Sequence, residues 1–264
     1  MKRLENKIVA ITGAGGGIGR VAADIFAKEG ATVCILELKA DAADKAAAEI
    51  TAAGGKAFAY PVDISDCEAV KAVFEQIDAD HGGLDVLYNN ASVFLGGRDA
   101  GVAELEPTIF DRVMKINLYG TFYCSKFAIP LMKKRGGGSI INTGSSAAVT
   151  GVPGCDAYTA TKGGTLAMTR SMAVEYGTFN IRTNIICPAA IQTPMVAESN
   201  LDDPNFSDKF FRARITPLHR WGTPEEIAKT ALFLASDDGA YINGAVIVAD
   251  GGITINGNVN PAGL

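Results

Sequence analysis

The chain has 264 residues, 48% of them hydrophobic, so it can bury a large core, and this length fits one α/β domain. Its net charge of −5 argues against a nucleic-acid partner and favours small molecules as ligands. No apolar run reaches the ~18 residues of a membrane span or resembles a signal peptide, so we expect a cytoplasmic protein without membrane contact.

The cysteines and histidines give no sign of a disulfide framework or a metal centre. The five cysteines are scattered and form no C-x-x-C pair, which suits free thiols in a reducing compartment. The two histidines, His81 and His219, are far apart and lack the spacing of metal ligands. We therefore predict no metal site.

The first predicted strand, Ile8–Thr12, is a short apolar run of the kind that is covered on both faces of a parallel sheet. A glycine-rich stretch follows and leads into a predicted helix at Val21–Lys28. Glycines let the backbone approach a diphosphate, and a helix start offers free N–H groups and a positive dipole end. Nucleotide binding is the prediction and a plain turn the alternative. The cofactor residues assigned here are Gly13, Gly17, Ile18 and Gly19.

The second predicted strand, Thr32–Leu36, ends at Glu37, about twenty residues past the glycines, where a dinucleotide-binding fold places an acid on the adenosine ribose. A carboxylate there accepts hydrogen bonds from both ribose hydroxyls and repels a 2′-phosphate, so Glu37 favours NAD over NADP. Arg20 and Lys39 are cations nearby, but neither removes this repulsion. A solvated carboxylate at the strand end is the alternative.

A helix over Asp41–Ala53 and a third strand over Ala57–Val62 come next, and Asp63 follows that strand. Ligands of open parallel sheets lie beyond the carboxyl ends of the strands, so Asp63 is a candidate acceptor for the adenine amino group, with Ile64 beside it. Asp63 could equally cap the helix that begins near Asp66, and the sequence leaves both roles open.

The fourth predicted strand, Leu84–Tyr88, is followed by two asparagines and two small residues. The small residues leave room for a cofactor ribose, and we assign Asn90 and Ala91 to the cofactor site. The two amides can tie neighbouring strands together, and a turn without a ligand is the alternative. The loop Val93–Ala103, which contains Phe94, is a candidate wall of a substrate pocket.

A long helical stretch, Pro107–Arg135, contains Asn117. Asparagine is a poor residue for a helix interior because its amide competes for backbone hydrogen bonds, so we predict a local distortion with a functional role. A fifth strand, Ser139–Thr143, delivers Ser145 just past its carboxyl end. Ser146 adjoins it, so the sequence leaves open which hydroxyl acts.

Tyr158 and Lys162 are four residues apart in a helix predicted to run to about residue 178, so they share a face. A phenol titrates near ~10 and is a poor base at neutral pH, but an adjacent ammonium lowers its pKa and makes it a candidate general base. A nearby serine hydroxyl can hold a substrate oxygen. A half-buried tyrosine beside a solvated lysine is the alternative.

A sixth strand, Ile181–Cys187, leads to a turn whose Thr193 is a candidate partner of the nicotinamide amide. The irregular segment at about 194–218 is a candidate lid over the substrate, with a short surface helix as the alternative. Thr223 and Pro224 indicate a helix start, and a last strand is predicted at Ala245–Ala249.

Over nearly its whole length the sequence resembles the short-chain dehydrogenase/reductase family. The family's motifs occur in the family's order: Thr12-Gly13-x-x-x-Gly17-Ile18-Gly19, Asn89-Asn90-Ala91, Asn117, Ser145, Tyr158-x-x-x-Lys162 and the turn ending in Thr193. Ser92 and Ala189 stand where the family commonly has glycine, which affects loop geometry but not the chemistry.

This resemblance implies one NAD(P)-binding Rossmann-type domain over residues 1–264, with a doubly wound sheet of about seven parallel strands and helices on both faces. It also implies a homotetramer. The cofactor site would include Pro188 and Ile191 in the turn after the sixth strand, and Tyr158 and Lys162 would touch both the cofactor and the reacting atoms.

The implied chemistry is hydride transfer between the nicotinamide and a carbinol or carbonyl carbon. Ser145 would hold the substrate oxygen, Tyr158 would exchange its proton, and Lys162 would lower the tyrosine pKa and bind the nicotinamide ribose. Asn117 would position a water that relays protons. Together with Glu37, this favours an NAD-dependent secondary alcohol dehydrogenase. The alternatives are an NADPH-dependent 3-oxoacyl thioester or sugar reductase and, least favoured, a non-enzymatic NAD-binding regulator.

Overall fold

A computed structural model describes residues 2–195 and 216–256, and these form a seven-stranded parallel sheet with helices on both faces. The predicted fold class is confirmed. The strands lie in the order β3-β2-β1-β4-β5-β6-β7. Their bounds are β1 Ile8–Thr12, β2 Thr32–Glu37, β3 Lys56–Pro61, β4 Val86–Asn89, β5 Gly138–Thr143, β6 Ile181–Pro188 and β7 Val246–Ala249.

The helices connect consecutive strands and cover the sheet. They are α1 Gly17–Lys28, α2 Ala40–Ala52, α3 Cys67–His81, α4 Pro107–Val113, α5 Gly120–Lys134, α6 Asp156–Tyr176 and α7 Pro224–Ala235. Short 3-10 turns follow β5 at Ser146–Ala148 and α6 at Gly177–Phe179, and two more flank β7 at Asp237–Gly239 and Ile253–Ile255.

The core has two layers because successive strand residues point to opposite faces of the sheet. In β1, Val9 and Ile11 pack on the side of α1, α2 and α7, whereas Ile8 and Ala10 pack on the side of α3 and α5. All five residues of β1 are buried, which explains why the central strand is a continuous apolar run rather than an alternating one.

Local signals set several helix ends. The side chain of Asp66 caps α3 by accepting from the N–H groups of Glu68 and Ala69 at 2.9 and 3.1 Å. Thr223 and Glu226 form a reciprocal capping box at the start of α7, as the sequence predicts for Thr223.

The predicted long helix at 107–135 is divided into three parts. A π-helical segment, Met114–Tyr119, lies between α4 and α5, and it contains Asn117. The predicted distortion is therefore present, and it takes the form of an inserted π-helical stretch, a feature that often occurs at functional sites.

The strand order reverses between β1 and β4. From β1 the chain moves outward to β2 and β3, and it then returns to lay β4 on the other side of β1. The two sets of connections diverge there and leave a crevice at the carboxyl ends of the strands, which is where open α/β sheets bind ligands.

All five cysteines are free thiols, and four of them are buried. No helix within the described ranges is both long and apolar enough to span a bilayer.

Candidate active site

A cavity of about 1100 Å³ opens at the carboxyl ends of the strands. Its walls come from the loops after β1 to β6, so residues far apart in sequence meet there. All but three of the predicted site residues line it: Gly13, Gly17, Ile18, Glu37, Asp63, Ile64, Asn90, Ala91, Ser145, Tyr158, Pro188, Ile191 and Thr193. The exceptions are Gly19, Asn117 and Lys162. Residues 196–215 of the predicted lid lie outside the described ranges.

The glycine-rich loop leaves the start of α1 open to the cavity. Gly16 is the N-cap of α1 and supplies no side-chain hydrogen bond, and a Cβ at Gly16 or Gly17 would meet no atom within 4 Å. Gly17 has φ +54°, which a side chain would strain. This uncovered helix start, with its free N–H groups, fits the diphosphate of a nicotinamide dinucleotide.

Gly19 serves packing within the same loop. A Cβ at Gly19 would overlap the carbonyl oxygen of Gly13 and approach the Asn90 side-chain nitrogen to 2.6 Å. The absence of a side chain therefore lets α1 lie close against the ends of β1 and β4.

Glu37 closes one end of the glycine-rich loop. Its carboxylate accepts from the N–H of Gly15 at 3.1 Å and from the N–H of Leu38 at 3.0 Å. Arg20 is held by the carboxylates of Asp24 and Glu49, the latter at 2.9 Å. Of the two nearby cations, Arg20 is thus already paired, and Lys39 is exposed at the cavity rim.

The structure excludes one of the two roles that the sequence left open for Asp63. The capping alternative is wrong because Asp66 caps α3. Asp63 instead shapes the turn before that helix: its Oδ1 accepts from the backbone N–H of Ser65 at 2.9 Å and from the Ser65 hydroxyl at 2.7 Å. This turn holds Asp63 and Ile64 at the cavity wall.

The two asparagines at the end of β4, Asn89 in the strand and Asn90 just after it, tie strands together, as predicted. The Asn89 side chain donates to the Asn142 side-chain oxygen at 2.9 Å and so joins β4 to β5. Asn90 donates to the carbonyl oxygen of Thr12 at 3.1 Å, and the Thr12 hydroxyl accepts from the backbone N–H groups of Asn90 and Ala91 at 3.0 Å each. The loop that borders the cavity is thereby fixed to the end of β1.

Ser145, Tyr158 and Lys162 come together at the end of β5. The hydroxyl of Ser145 interacts with the Tyr158 phenol, and it also accepts from the N–H of Ala147 at 3.2 Å. Ser146 begins the 3-10 turn, and the serine that meets the tyrosine is Ser145. Lys162 is buried, with 3% exposure, and donates to the carbonyl oxygen of Thr143 at 2.8 Å. The solvated-lysine alternative is therefore wrong.

Burial controls the protonation of this group. It raises the pKa of the half-buried Tyr158 to about 12, against a smaller lowering by the Ser145 hydrogen bond. Burial also lowers the pKa of Lys162 to about 8. Lys162 Nζ lies 5.4 Å from the Tyr158 ring centroid and points to a carbonyl. Lys162 is not among the groups that lower the Tyr158 pKa, and burial outweighs the lowering by Ser145.

Asn117 connects three elements behind the cavity wall. Its side chain accepts from the N–H of Val93 at 2.8 Å and donates to the Val93 carbonyl at 2.9 Å and to the Thr161 hydroxyl at 3.3 Å. These bonds link the π-helical segment, the loop after β4 and α6. The next loop residue, Phe94, contacts Tyr158 edge-on, with 5.2 Å between ring centroids.

The sequence did not indicate three groups at this site. Thr143 acts through a carbonyl and Val93 through its peptide group, and backbone acceptors leave no mark on residue type. The third group, Asp99, is an acidic residue in the loop after β4. It is buried in the folded protein, and the sequence does not show which acidic residues become buried.

The doubly wound sheet, the open helix start and the Ser145–Tyr158–Lys162 group define the class of nicotinamide-dependent oxidoreductases. A family model described as enoyl-(acyl carrier protein) reductase matches residues 13–254. The chain belongs to the short-chain dehydrogenase/reductase family.

Two curated relatives match the chain over nearly its full length. It is 43% identical to an uncharacterised oxidoreductase of Bacillus subtilis, over 96% of this chain and 93% of the relative. It is 40% identical to meso-2,3-butanediol dehydrogenase of Serratia marcescens, over 96% of each chain.

Two solved structures share the fold closely. A levodione reductase superimposes with a TM-score of 0.90 at 34% identity, covering 96% of this chain and 99% of that one. A gluconate 5-dehydrogenase of Burkholderia cenocepacia, solved in complex with NADP and tartrate, gives a TM-score of 0.89 at 30% identity and 96% coverage of both chains.

Proposed function

We propose that the protein interconverts a secondary alcohol, cyclic or aryl, and its ketone with NAD, using Tyr158 as general acid and base. One observation carries the proposal: a single cavity has Glu37 at the end of β2 and the Ser145–Tyr158 pair at the end of β5. These strands are three positions apart in the sheet, or about 14 Å at a strand spacing of about 4.8 Å. That separation suits an elongated dinucleotide with its reactive ring beside the hydroxyls.

The preference for NAD over NADP rests on the charges at the end of β2. A 2′-phosphate would enter beside the Glu37 carboxylate, and one of the two nearby cations, Arg20, is paired with Asp24 and Glu49. Lys39 is the feature that favours the alternative, because it is exposed at the rim and has no ion pair among the described residues. The gluconate 5-dehydrogenase, which was solved with NADP, also supports NADP as the alternative cofactor.

In the proposed reaction, bound NAD supplies the hydride acceptor at C4 of its nicotinamide ring. Ser145 orients the substrate oxygen by a hydrogen bond. During reduction the protonated phenol of Tyr158, which the raised pKa favours, would give its proton to the substrate oxygen. During oxidation the base would be the phenolate form of Tyr158, which would take the hydroxyl proton. Lys162, which donates to the Thr143 carbonyl at the end of β5, would bind the nicotinamide ribose. Asn117 holds the wall loop and is proposed to order a water of the proton path.

Part of the cavity wall is apolar, and Asp111, Arg112 and Lys115 also line the cavity. Val93, Met195 and Ile191 line it, and Phe94 lies against Tyr158. An apolar wall next to an aromatic ring favours a compact cyclic or aryl alcohol over a sugar. The names of two similar proteins, meso-2,3-butanediol dehydrogenase and levodione reductase, support a small alcohol or ketone.

The second candidate is reduction of a 3-oxoacyl thioester with NADPH. The description of the matching family model, enoyl-(acyl carrier protein) reductase, favours an acyl substrate. Glu37 opposes NADPH, and we rank this function below alcohol oxidation. A regulator that only binds NAD has no need for the complete Ser145–Tyr158–Lys162 group and ranks last.

The test is NADH formation with purified enzyme across a panel of cyclic, aryl and linear secondary alcohols, with NADP in parallel. Tyr158→Phe keeps the ring volume, so the variant should fold and bind NAD as before while kcat falls at least ~10²-fold. Near-normal turnover in the variant would remove Tyr158 from the mechanism. Activity confined to 3-oxoacyl thioesters with NADPH would favour the second candidate.

We also propose one domain and a cytoplasmic homotetramer. Apolar side chains on the outer helix faces support assembly: Tyr119 and Phe122 are 45% and 47% exposed, and Val174 on α6 is 82% exposed. Such residues are commonly covered in oligomers. Sedimentation equilibrium that reports only a monomer would contradict this proposal.

A further inference from the structure

The helix that carries Tyr158 and Lys162 does not cap itself. The N-cap residue of α6, Cys155, makes no side-chain hydrogen bond to the helix start. The first N–H groups of a helix have no partner within the helix, and a helix end left without one inside a protein is unfavourable. The partners of these groups therefore have to come from elsewhere.

They come from the loop after β4. The carboxylate of Asp99 accepts from the N–H of Ala157 at 3.1 Å and from the N–H of Tyr158 at 2.9 Å. The neighbouring carbonyl of Ala100 accepts from the N–H of Asp156 at 3.2 Å. The first three amides of the catalytic helix are thus all bound by two consecutive residues that are more than fifty positions away in sequence.

The attachment is reciprocal. The side chain of Asp156, the first residue of α6, accepts from the N–H of Val102 at 2.9 Å. Asp99 also accepts from the N–H of Ala100 at 2.9 Å, which fixes the local shape of the loop. Leu95 from the same loop packs against a small apolar cluster that contains Ala157. Loop and helix start therefore form one unit.

Asp99 is buried and makes no ion pair within the described part of the chain. Its negative charge instead faces the positive end of α6, a helix of 21 residues. The hydrogen bond from Tyr158 N–H places the carboxylate next to the backbone of the catalytic tyrosine itself. Phe94, from the same loop, contacts the ring of that tyrosine.

We propose that Asp99 is a positioning residue for the reaction, which sets Tyr158 and the Phe94 wall of the substrate pocket in one fixed arrangement. This proposal rests on the proposed function. Tyr158 must reach both Ser145 and the substrate oxygen, and small displacements of a reacting group cost large factors in rate. A single buried carboxylate thereby controls the base and the pocket wall together.

The test compares Asp99→Asn with Asp85→Asn. Asparagine keeps the shape but offers only one acceptor oxygen, so one helix N–H loses its partner. Asp85 is a matched control: it is equally buried, but it bonds Ile8 N–H at 2.8 Å and pairs with Arg135 at 3.1 Å near the opposite ends of the strands. For Asp99→Asn we expect kcat in alcohol oxidation to fall about tenfold to 10²-fold, with NAD affinity unchanged. Asp85→Asn should lose stability but keep kcat.

A second readout needs no turnover. In cofactor-free protein, hydrogen exchange at residues 157–158 and 100–102 should become about tenfold faster in Asp99→Asn and stay unchanged in Asp85→Asn. Asp156→Ala, which removes the side-chain acceptor of the Val102 N–H, should raise KM for cyclic alcohols without lowering kcat.

The two proposals can fail separately. Wild-type kcat and KM in Asp99→Asn, or equal losses of kcat in Asp99→Asn and Asp85→Asn, would overturn the role of Asp99. Absence of alcohol oxidation in the wild-type enzyme would overturn the proposed function, and the exchange comparison would still show whether Asp99 fixes the helix start.

Discussion

Lys162 is expected to weaken the folded protein at neutral pH, and this can be measured. Burial lowers its pKa from an ordinary 10.5 to about 8. Each tenfold change in a proton equilibrium is worth about 1.4 kcal/mol, so the difference corresponds to about 3 kcal/mol that the folded state gives up to keep Lys162 charged. The Thr143 carbonyl, which accepts from Lys162, offsets part of this.

The sign of the pH dependence follows from linkage. The folded-state pKa is lower than the unfolded one, so the unfolded state binds more protons between pH 8 and 10.5, and stability rises with pH in that window. Below pH 8 both states carry the proton and this contribution is constant. By pH 9.5 the wild-type protein should have gained about 2 kcal/mol relative to a variant without the ammonium.

The perturbation is Lys162→Met, which keeps the length of the side chain and removes the charge. Tyr158 and Cys187 lie near Lys162 and also titrate at alkaline pH, but both remain in the variant. The difference between the two proteins therefore reports the ammonium of Lys162 together with its charge interaction with Cys187. Lys45→Met removes a lysine that is 76% exposed and serves as the control.

The assay is thermal unfolding of cofactor-free protein at equal concentration from pH 7 to 9.5. The Tm of wild type minus that of Lys162→Met should increase by about 4 to 8 °C over this range, at about 2 to 4 °C per kcal/mol for a chain of this size. The corresponding difference for Lys45→Met should stay constant. If the Lys162→Met difference is also independent of pH, the ammonium is not disfavoured by burial and the reasoning fails.

Two further substitutions test the cofactor end of the cavity. Glu37→Ser with Leu38→Arg should raise the ratio of kcat/KM for NADP over NAD at least tenfold, because removing one charge repulsion is worth about 1.4 kcal/mol or more; a wild-type preference for NADP would contradict the argument. Gly19→Ala should destabilise the protein and weaken NAD binding, since its Cβ overlaps the Gly13 carbonyl, whereas Gly16→Ala, which meets no atom, should fold normally; equal Tm values for the two variants would refute the packing role.

The sequence by itself determined the succession of strands and helices along the chain and most of the site residues that line the cavity. These signals are local: a buried apolar run such as Ile8–Thr12, glycines at a strand end, or a Tyr-x-x-x-Lys spacing on one helix face. The distortion around Asn117 was also predictable, because an amide inside a helix competes for backbone bonds within a few residues of itself.

The tertiary structure decided what depends on groups brought together through space. It assigned the cap of α3 to Asp66 rather than Asp63, and it directed the Lys162 ammonium to a carbonyl. It raised the tyrosine pKa by burial, where the Tyr158–Lys162 spacing alone predicts a lowering. Solvation depends on every element that packs around a group, and the Asp99 carboxylate meets the catalytic helix only after the sheet has formed. No local pattern of residues encodes the solvation of Tyr158 or the contact between Asp99 and the catalytic helix.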